Sequence, residues 1–524
     1  MCVQLNRDLL WQIFSVNAEM GPLEREPHYI PAIHTLRRTS QVCSTWRDLA
    51  LDAQSLWGRV IDFNCLHHEE WRDEVLRRTG TSLLFVRCGR EHWKKPGSLD
   101  FENNIISILS EIWARLRSLQ VKFWRPQAAY YANDSAIWRL LERPAYALEV
   151  FELVLCFPAH AQHRRNPPVL SPSGFKVFNH HAPALNVFIA PHIRPDIRAS
   201  WTSQCRTLAL DTPIPVYELL EAVKNMPFLE SLEDKSGFAI INGDADSLRS
   251  LSSKKFQFPR LQRINISTTL NIMPHLTFLR HLEPVYGTIL TFNSRPRELE
   301  SDPDDEAISV AADVLHTFSK NAELMRSTEV ELNLMRYNFT FQALLPRKTT
   351  FRFFQHCYHD LPVHAVFELF GALNFTDFPL ARKLTLGLQG VEDVHYSDPK
   401  VARFLKSVAA IEFLETTPVT LQFLLRLPNS IMEHVFPELQ HISIRYAGTV
   451  SHLHQFLAYR RAIPRPISIL SISIDSERLD LTSLEEFTGL KVIMFYHGYE
   501  DEESYKIGEY ICGSGNPGEL ILEL

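Results

Sequence analysis

A short phrase that returns along the chain constrains the fold more than any other feature. It reads FPRLQRINI at Phe258–Ile266 and FPELQHISI at Phe436–Ile444, and FPLARKLTLGL begins at Phe378. Related pieces start at Leu116 (LRSLQVKFW), Leu148 (LEVFELVLC), Cys205 (CRTLAL), Thr328 (TEVELNL), Ile467 (ISILSISI), Leu490 (LKVIMF) and Gly518 (GELILEL). Each ends in alternating or β-rich residues, the mark of a short strand. Between them lie runs with helical spacing, such as Ile105, Ile108, Leu109 and Ile112, or Val310, Val314, Leu315 and Phe318. The unit is therefore helix, turn, strand.

Its steps are uneven, roughly 20 to 35 residues, so no strict period runs through the chain. This predicts an α/β fold: over residues 99–524, an irregular leucine-rich-repeat-like, right-handed αβ solenoid with parallel short strands, each unit burying its neighbour. The phrases Leu261–Ile266, Lys383–Leu388, Leu439–Ile444 and Ile467–Ile474 are then expected as parallel strands of one curved sheet. Leu261, Ile264 and Ile266, like Leu439, Ile442 and Ile444, would point inward, and Asn265 and Ser443 outward, because side chains alternate along a strand. A doubly wound α/β fold competes, but it calls for a glycine fingerprint after its first strand, and none is present.

The N-terminal stretch has another pattern. Leu5, Leu9, Leu10, Ile13 and Phe14 recur on one helical face. After a loop with Gly21, Pro22, Pro27 and Pro31, helix resumes, and Val42, Cys43, Trp46, Leu49 and Ala50 share a second face. Leu56 and Trp57 follow at once. The sequences LNRDLLWQIF, LRRTSQVCSTWRDLA and SLW, in that order, resemble an F-box, and most closely the expanded fungal F-box family. Asn6 stands where that family usually has proline, and the loop between the two blocks is longer than in compact members.

The resemblance implies a small helical F-box at residues 1–62, followed by a linker and first packing segment at 63–98. It implies docking of a Skp-type adaptor, and through it a cullin–RING (SCF-type) ubiquitin ligase, with the solenoid holding a protein substrate. The adaptor-binding residues expected on this basis are Leu5, Leu9, Leu10, Ile13, Phe14, Val42, Cys43, Trp46, Leu49, Leu56 and Trp57. A helical module of ~60 residues is marginal alone, so its apolar stripes suit a partner surface. They also suit packing within the protein.

Composition narrows the rest. Lys plus Arg is 54 against 61 Asp plus Glu, a net charge of −7, so no nucleic-acid or anionic-membrane partner is expected. No run of ~18 apolar residues occurs, and no secretion signal is read at the N-terminus. The eight cysteines are scattered with no C-x-x-C pair, as in reduced thiols, which points to the cytoplasm or nucleus. The acidic stretch Glu298–Glu306 reads as a solvated loop.

Catalytic and metal signatures are sparse. Gly513, Gly515 and Gly518 match G-x-G-x-x-G, but they lack the strand before and the helix after that a dinucleotide needs. His356, Cys357, His359 and His364 form the densest soft-ligand cluster, without the second ligand pair zinc wants. No catalytic residue, metal or cofactor is expected. Two other readings stay open: an interaction scaffold without a ligase role, and an α/β enzyme whose site is spatial.

Overall fold

The computed structural model describes residues 6–20, 30–89, 98–124, 135–156, 171–172, 174–190, 193–210, 214–234, 240–241, 255–269, 272–295, 303–357, 359, 361–373, 378–388, 398–445, 451–474, 478–496 and 505–523. The chain is mixed α/β, with mostly parallel strands and about fifteen α-helices among the described residues. It divides into two compact units, Met1–Leu261 and Gln262–Leu524.

The first unit opens with four helices: α1 (Arg7–Asn17), α2 (Ala32–Thr39), α3 (Ser44–Asp52) and α4 (Gln54–Gly58). Strands follow: β1 (Ile61–Asp62), β2 (Leu84–Cys88), β3 (Leu116–Trp124), β4 (Val150–Cys156), β5 (Val187–Ile189), β6 (Thr207–Leu210) and β7 (Ser231–Asp234). Each lies parallel to the next in chain order. Helix α5 (Glu69–Arg78) connects β1 to β2.

One turn explains why strands begin where they do. The N–H of its fourth residue donates to the carbonyl of its first in Ala145–Leu148, Ala182–Leu185 and Met226–Leu229, at 3.1–3.4 Å. The same bond closes Phe258–Leu261, Phe378–Ala381, Phe436–Leu439 and Phe487–Leu490, at 2.9–3.2 Å. In every case the first and fourth side chains are buried. Pro183, Pro227, Pro259, Pro379 and Pro437 occupy the second position, where a fixed φ presets a β-turn. In the last turn Gly489, at φ +89°, supplies the left-handed third position of a type II turn. The apolar anchor, turn and strand are thus one physical unit.

The second unit holds β8 (Arg263–Thr268), β9 (Ile289–Ser294), β10 (Glu329–Met335), β11 (Asn338–Leu345), β12 (Thr349–His356), β13 (Lys383–Leu388), β14 (Phe413–Thr416), β15 (His441–Arg445), β16 (Ile469–Ile474), β17 (Lys491–Tyr496) and β18 (Tyr505–Ile511). The spatial order is β8-β9-β12-β11-β10-β13-β14-β15-β16-β17-β18. The four phrases singled out above fall in this sheet as β8, β13, β15 and β16, all running the same way. Ile264, Ile266, Ile442 and Ile444 are buried, and Asn265 and Ser443 are half-exposed on the opposite face.

An all-parallel sheet is nevertheless corrected at two places. β11 runs antiparallel between β12 and β10, and β18 runs antiparallel to β17. Only Arg336 and Tyr337 separate β10 from β11, and a parallel partner needs a crossover of about a dozen residues or more. The chain must turn back, and the strand order departs from chain order here. The core under this region is aromatic, with Phe292 and Phe353 stacked at 4.9 Å and Phe339 edge-on to Phe353 at 6.3 Å.

Candidate docking surface on the N-terminal helices

Helix α1 starts where the Asn6 side chain accepts the Asp8 N–H at 3.1 Å. Asparagine is a strong N-cap, so the residue that stands in place of proline starts the helix by another route. Leu10, Phe14 and Ala18 are buried on the inner face. The Phe14 ring meets Trp46 of α3 edge-on at 5.2 Å, and the Arg59 guanidinium donates to Ser15 Oγ at 2.7 Å.

The outer face of α1 is apolar too. Leu9, Ile13 and Val16 are 49%, 43% and 67% exposed. Their i, i+4, i+7 spacing places them in one stripe. In the turn before α3 Val42 is 62% exposed, Cys43 is exposed at the N-cap, and Trp46 on the helix is half-exposed. Arg7 and Asp52 form an exposed ion pair at 3.7 Å between the two helices.

The residues expected to meet an adaptor therefore separate into two groups. Leu9, Ile13, Val42, Cys43 and part of Trp46 are accessible. Leu10, Phe14, Leu49, Leu56 and Trp57 are interior in the chain by itself. The reason is that four short helices need a core of their own. Leu5 lies outside the described residues. Val16 escaped the sequence reading, although its place seven residues after Leu9 was the available signal.

Contacts of these helices continue past residue 62. Trp57 donates its Nε1–H to the Ala50 carbonyl at 2.7 Å and meets Trp71 of α5 edge-on at 6.4 Å. Arg78 lies over the Trp57 ring at 4.8 Å. Glu74 holds Arg78 in place through a 2.7 Å bond and also binds Arg77. Those two guanidinium hydrogen bonds pull the Glu74 pKa down to about 2. Behind them a buried Asp62–Arg87 ion pair at 3.3 Å joins β1 to β2.

Other constellations offer less chemistry. Among the described residues, no group of three or more His, Cys, Asp or Glu side chains could hold a metal ion. His364 instead pairs with Asp305 at 3.1 Å on the surface. At the glycine-rich turn Gly515 donates to Glu485 Oε1 at 3.0 Å and the Tyr510 hydroxyl to Oε2 at 2.8 Å, so the turn binds the chain's own carboxylate. His441 Nε2 lies 2.8 Å from Ser471 Oγ, and burial lowers the imidazole pKa. Ser471 is itself buried, and among the described residues no group orients His441 Nδ1 as a nucleophile's base requires.

No protein-family model matches the chain, and no curated protein matches it. No described helix is long and apolar enough to cross a membrane.

Proposed function

We propose that the chain is the substrate-recognition subunit of an SCF-type cullin–RING ubiquitin ligase. Its N-terminal helices act as an F-box that docks a Skp-type adaptor. The units that follow form an irregular leucine-rich-repeat-like, right-handed αβ solenoid that holds a protein substrate. The observation that carries this reading is the solvent-facing stripe Leu9–Ile13–Val16 on α1, together with exposed Val42 in the turn before α3. It crowns a helical module that already has its own buried core. Apolar area placed on the outside of a filled module is what a protein partner covers.

The mechanism on this reading is positional. The receptor performs no bond chemistry. It raises the effective concentration of substrate lysines beside a charged ubiquitin-conjugating enzyme. The reading places the protein in the cytoplasm or nucleus, where the ligase works. Co-purification with mass spectrometry, with and without inhibition of the proteasome and of neddylation, tests it. Recovery of a Skp-type adaptor and a cullin, with further proteins accumulating under inhibition, is the expected result. Recovery of partners without either ligase component would count against it.

A further inference from the structure

We propose that the open face of the second unit's sheet binds an acidic peptide segment across Arg352, Phe354 and Arg295. On β12, Phe351, Phe353 and Gln355 are buried in the core, so the alternate residues Arg352, Phe354 and His356 face the other way. The neighbouring strand contributes Thr291 opposite Arg352 and Asn293 opposite Phe354. Arg295 follows at the end of that strand and is exposed.

The two guanidinium groups flank one ring. Arg295 Cζ lies 5.2 Å and Arg352 Cζ 5.4 Å from the Phe354 centroid, and the His356 ring is stacked parallel to it at 6.4 Å. Neither arginine has a carboxylate partner among the described residues, and Arg352 Nε is buried without an acceptor. Two lysines on this face are paired: Lys383 lies 3.5 Å from Glu329 and 3.7 Å from Glu415, and Lys491 2.6 Å from Glu509. Two unneutralised guanidinium groups on an aromatic platform, one of them already partly dehydrated, are a complementary seat for anions.

Their placement selects the anion. From the register, Arg295 lies four residues further along the strand direction than Arg352, about 13 Å at the usual rise per residue. Both side chains lean toward the ring between them. Their guanidinium groups therefore lie closer together than their backbones do. Two carboxylates two residues apart in an extended chain, about 7 Å from each other, reach both. The ligand class is therefore a peptide with alternating Asp or Glu. On the reading above this peptide belongs to the substrate. The site depends on that reading only for the substrate's name.

The test uses the full chain without adaptor, so its failure leaves adaptor docking untouched, and the reverse. A fluorescein-labelled decapeptide of alternating glutamate and serine is titrated by anisotropy. Its glutamine–serine counterpart, an oligouridine and phosphatidylserine vesicles are run beside it. The acidic peptide should bind at least tenfold tighter than the other three, and more weakly as salt rises. Arg295→Gln, at an exposed site, should weaken it at least threefold without changing the circular dichroism. Adding Arg352→Gln should weaken it more than tenfold. Equal binding of the glutamine peptide, tighter binding of RNA or vesicles, or an unaffected Arg295→Gln would overturn the proposal. So would binding seen only after Glu298→Gln with Glu300→Gln, since the chain's own acidic stretch would then be the occupant.

Discussion

Arg460 shows how one side chain can hold a strand-starting turn in place. It is 1% exposed, and its guanidinium donates to the carbonyls of Phe436 at 3.0 Å, Leu439 at 3.2 Å and Arg465 at 3.1 Å. Two of these are the ends of the turn that starts β15. Burial lowers its pKa to about 10, so it stays charged at neutral pH. Arg460→Met keeps most of the apolar stem but removes one donor from each of three carbonyls, two of them in buried bonds. Urea unfolding should register a loss of about 2–4 kcal/mol, and an unchanged midpoint would show that water replaces the bonds without cost. The cysteines give a second check at this scale. Burial pushes the Cys205 thiol up to about 12, whereas Cys43 is exposed. Iodoacetamide at pH 8 should modify Cys43 in the folded protein and Cys205 only in denaturant. Early modification of Cys205 would mean that the turn before β6 opens readily.

At the scale of elements, α5 carries a pH-dependent clamp. The folded Glu74 pKa, about 2, is below its ordinary value of 4.5. The stabilisation is therefore fully present above about pH 4.5 and is lost as pH falls toward 2. Glu74→Gln should remove that part of the acid dependence and free Arg78 from the Trp57 ring, which tryptophan fluorescence would report. An acid-unfolding profile identical to the parent's would refute the clamp. The elements also show what was legible in the sequence. The Phe-Pro-x-Leu phrases were readable as strand starts because their physical content is local: a proline-set turn between two apolar anchors. Strand direction was not readable. NFTFQALL alternates just as a parallel strand does, and only the two residues Arg336 and Tyr337 force the reversal. Burial on α1 was not readable either. Leu9 and Ile13 on one side, Leu10 and Phe14 on the other, make a single apolar arc in sequence. Which half faces inward depends on Trp46 of α3, 29 residues after Asn17.

At the scale of the molecule, the sequence supported an array of helix–turn–strand units behind a distinct helical N-terminus, and such units lie in both compact units. What an array does, however, is decided by scattered residues on its open faces. Periodicity tracks the buried half of each strand and is silent on the other half, where Arg352 and Phe354 lie. The N-terminal surface is different, because its accessible residues are few and contiguous. The account stands or falls on that surface. The most direct measurement is titration calorimetry of the full chain with a purified Skp-type adaptor, using the parent and a Leu9→Asp, Ile13→Asp variant. Both positions are exposed, so circular dichroism should not change. Two carboxylates forced into a dry contact cost several kcal/mol, against ~1.4 kcal/mol for a tenfold change in affinity. The account predicts binding by the parent and at least a hundredfold loss in the variant. A variant that binds like the parent, or a parent that does not bind, would contradict it.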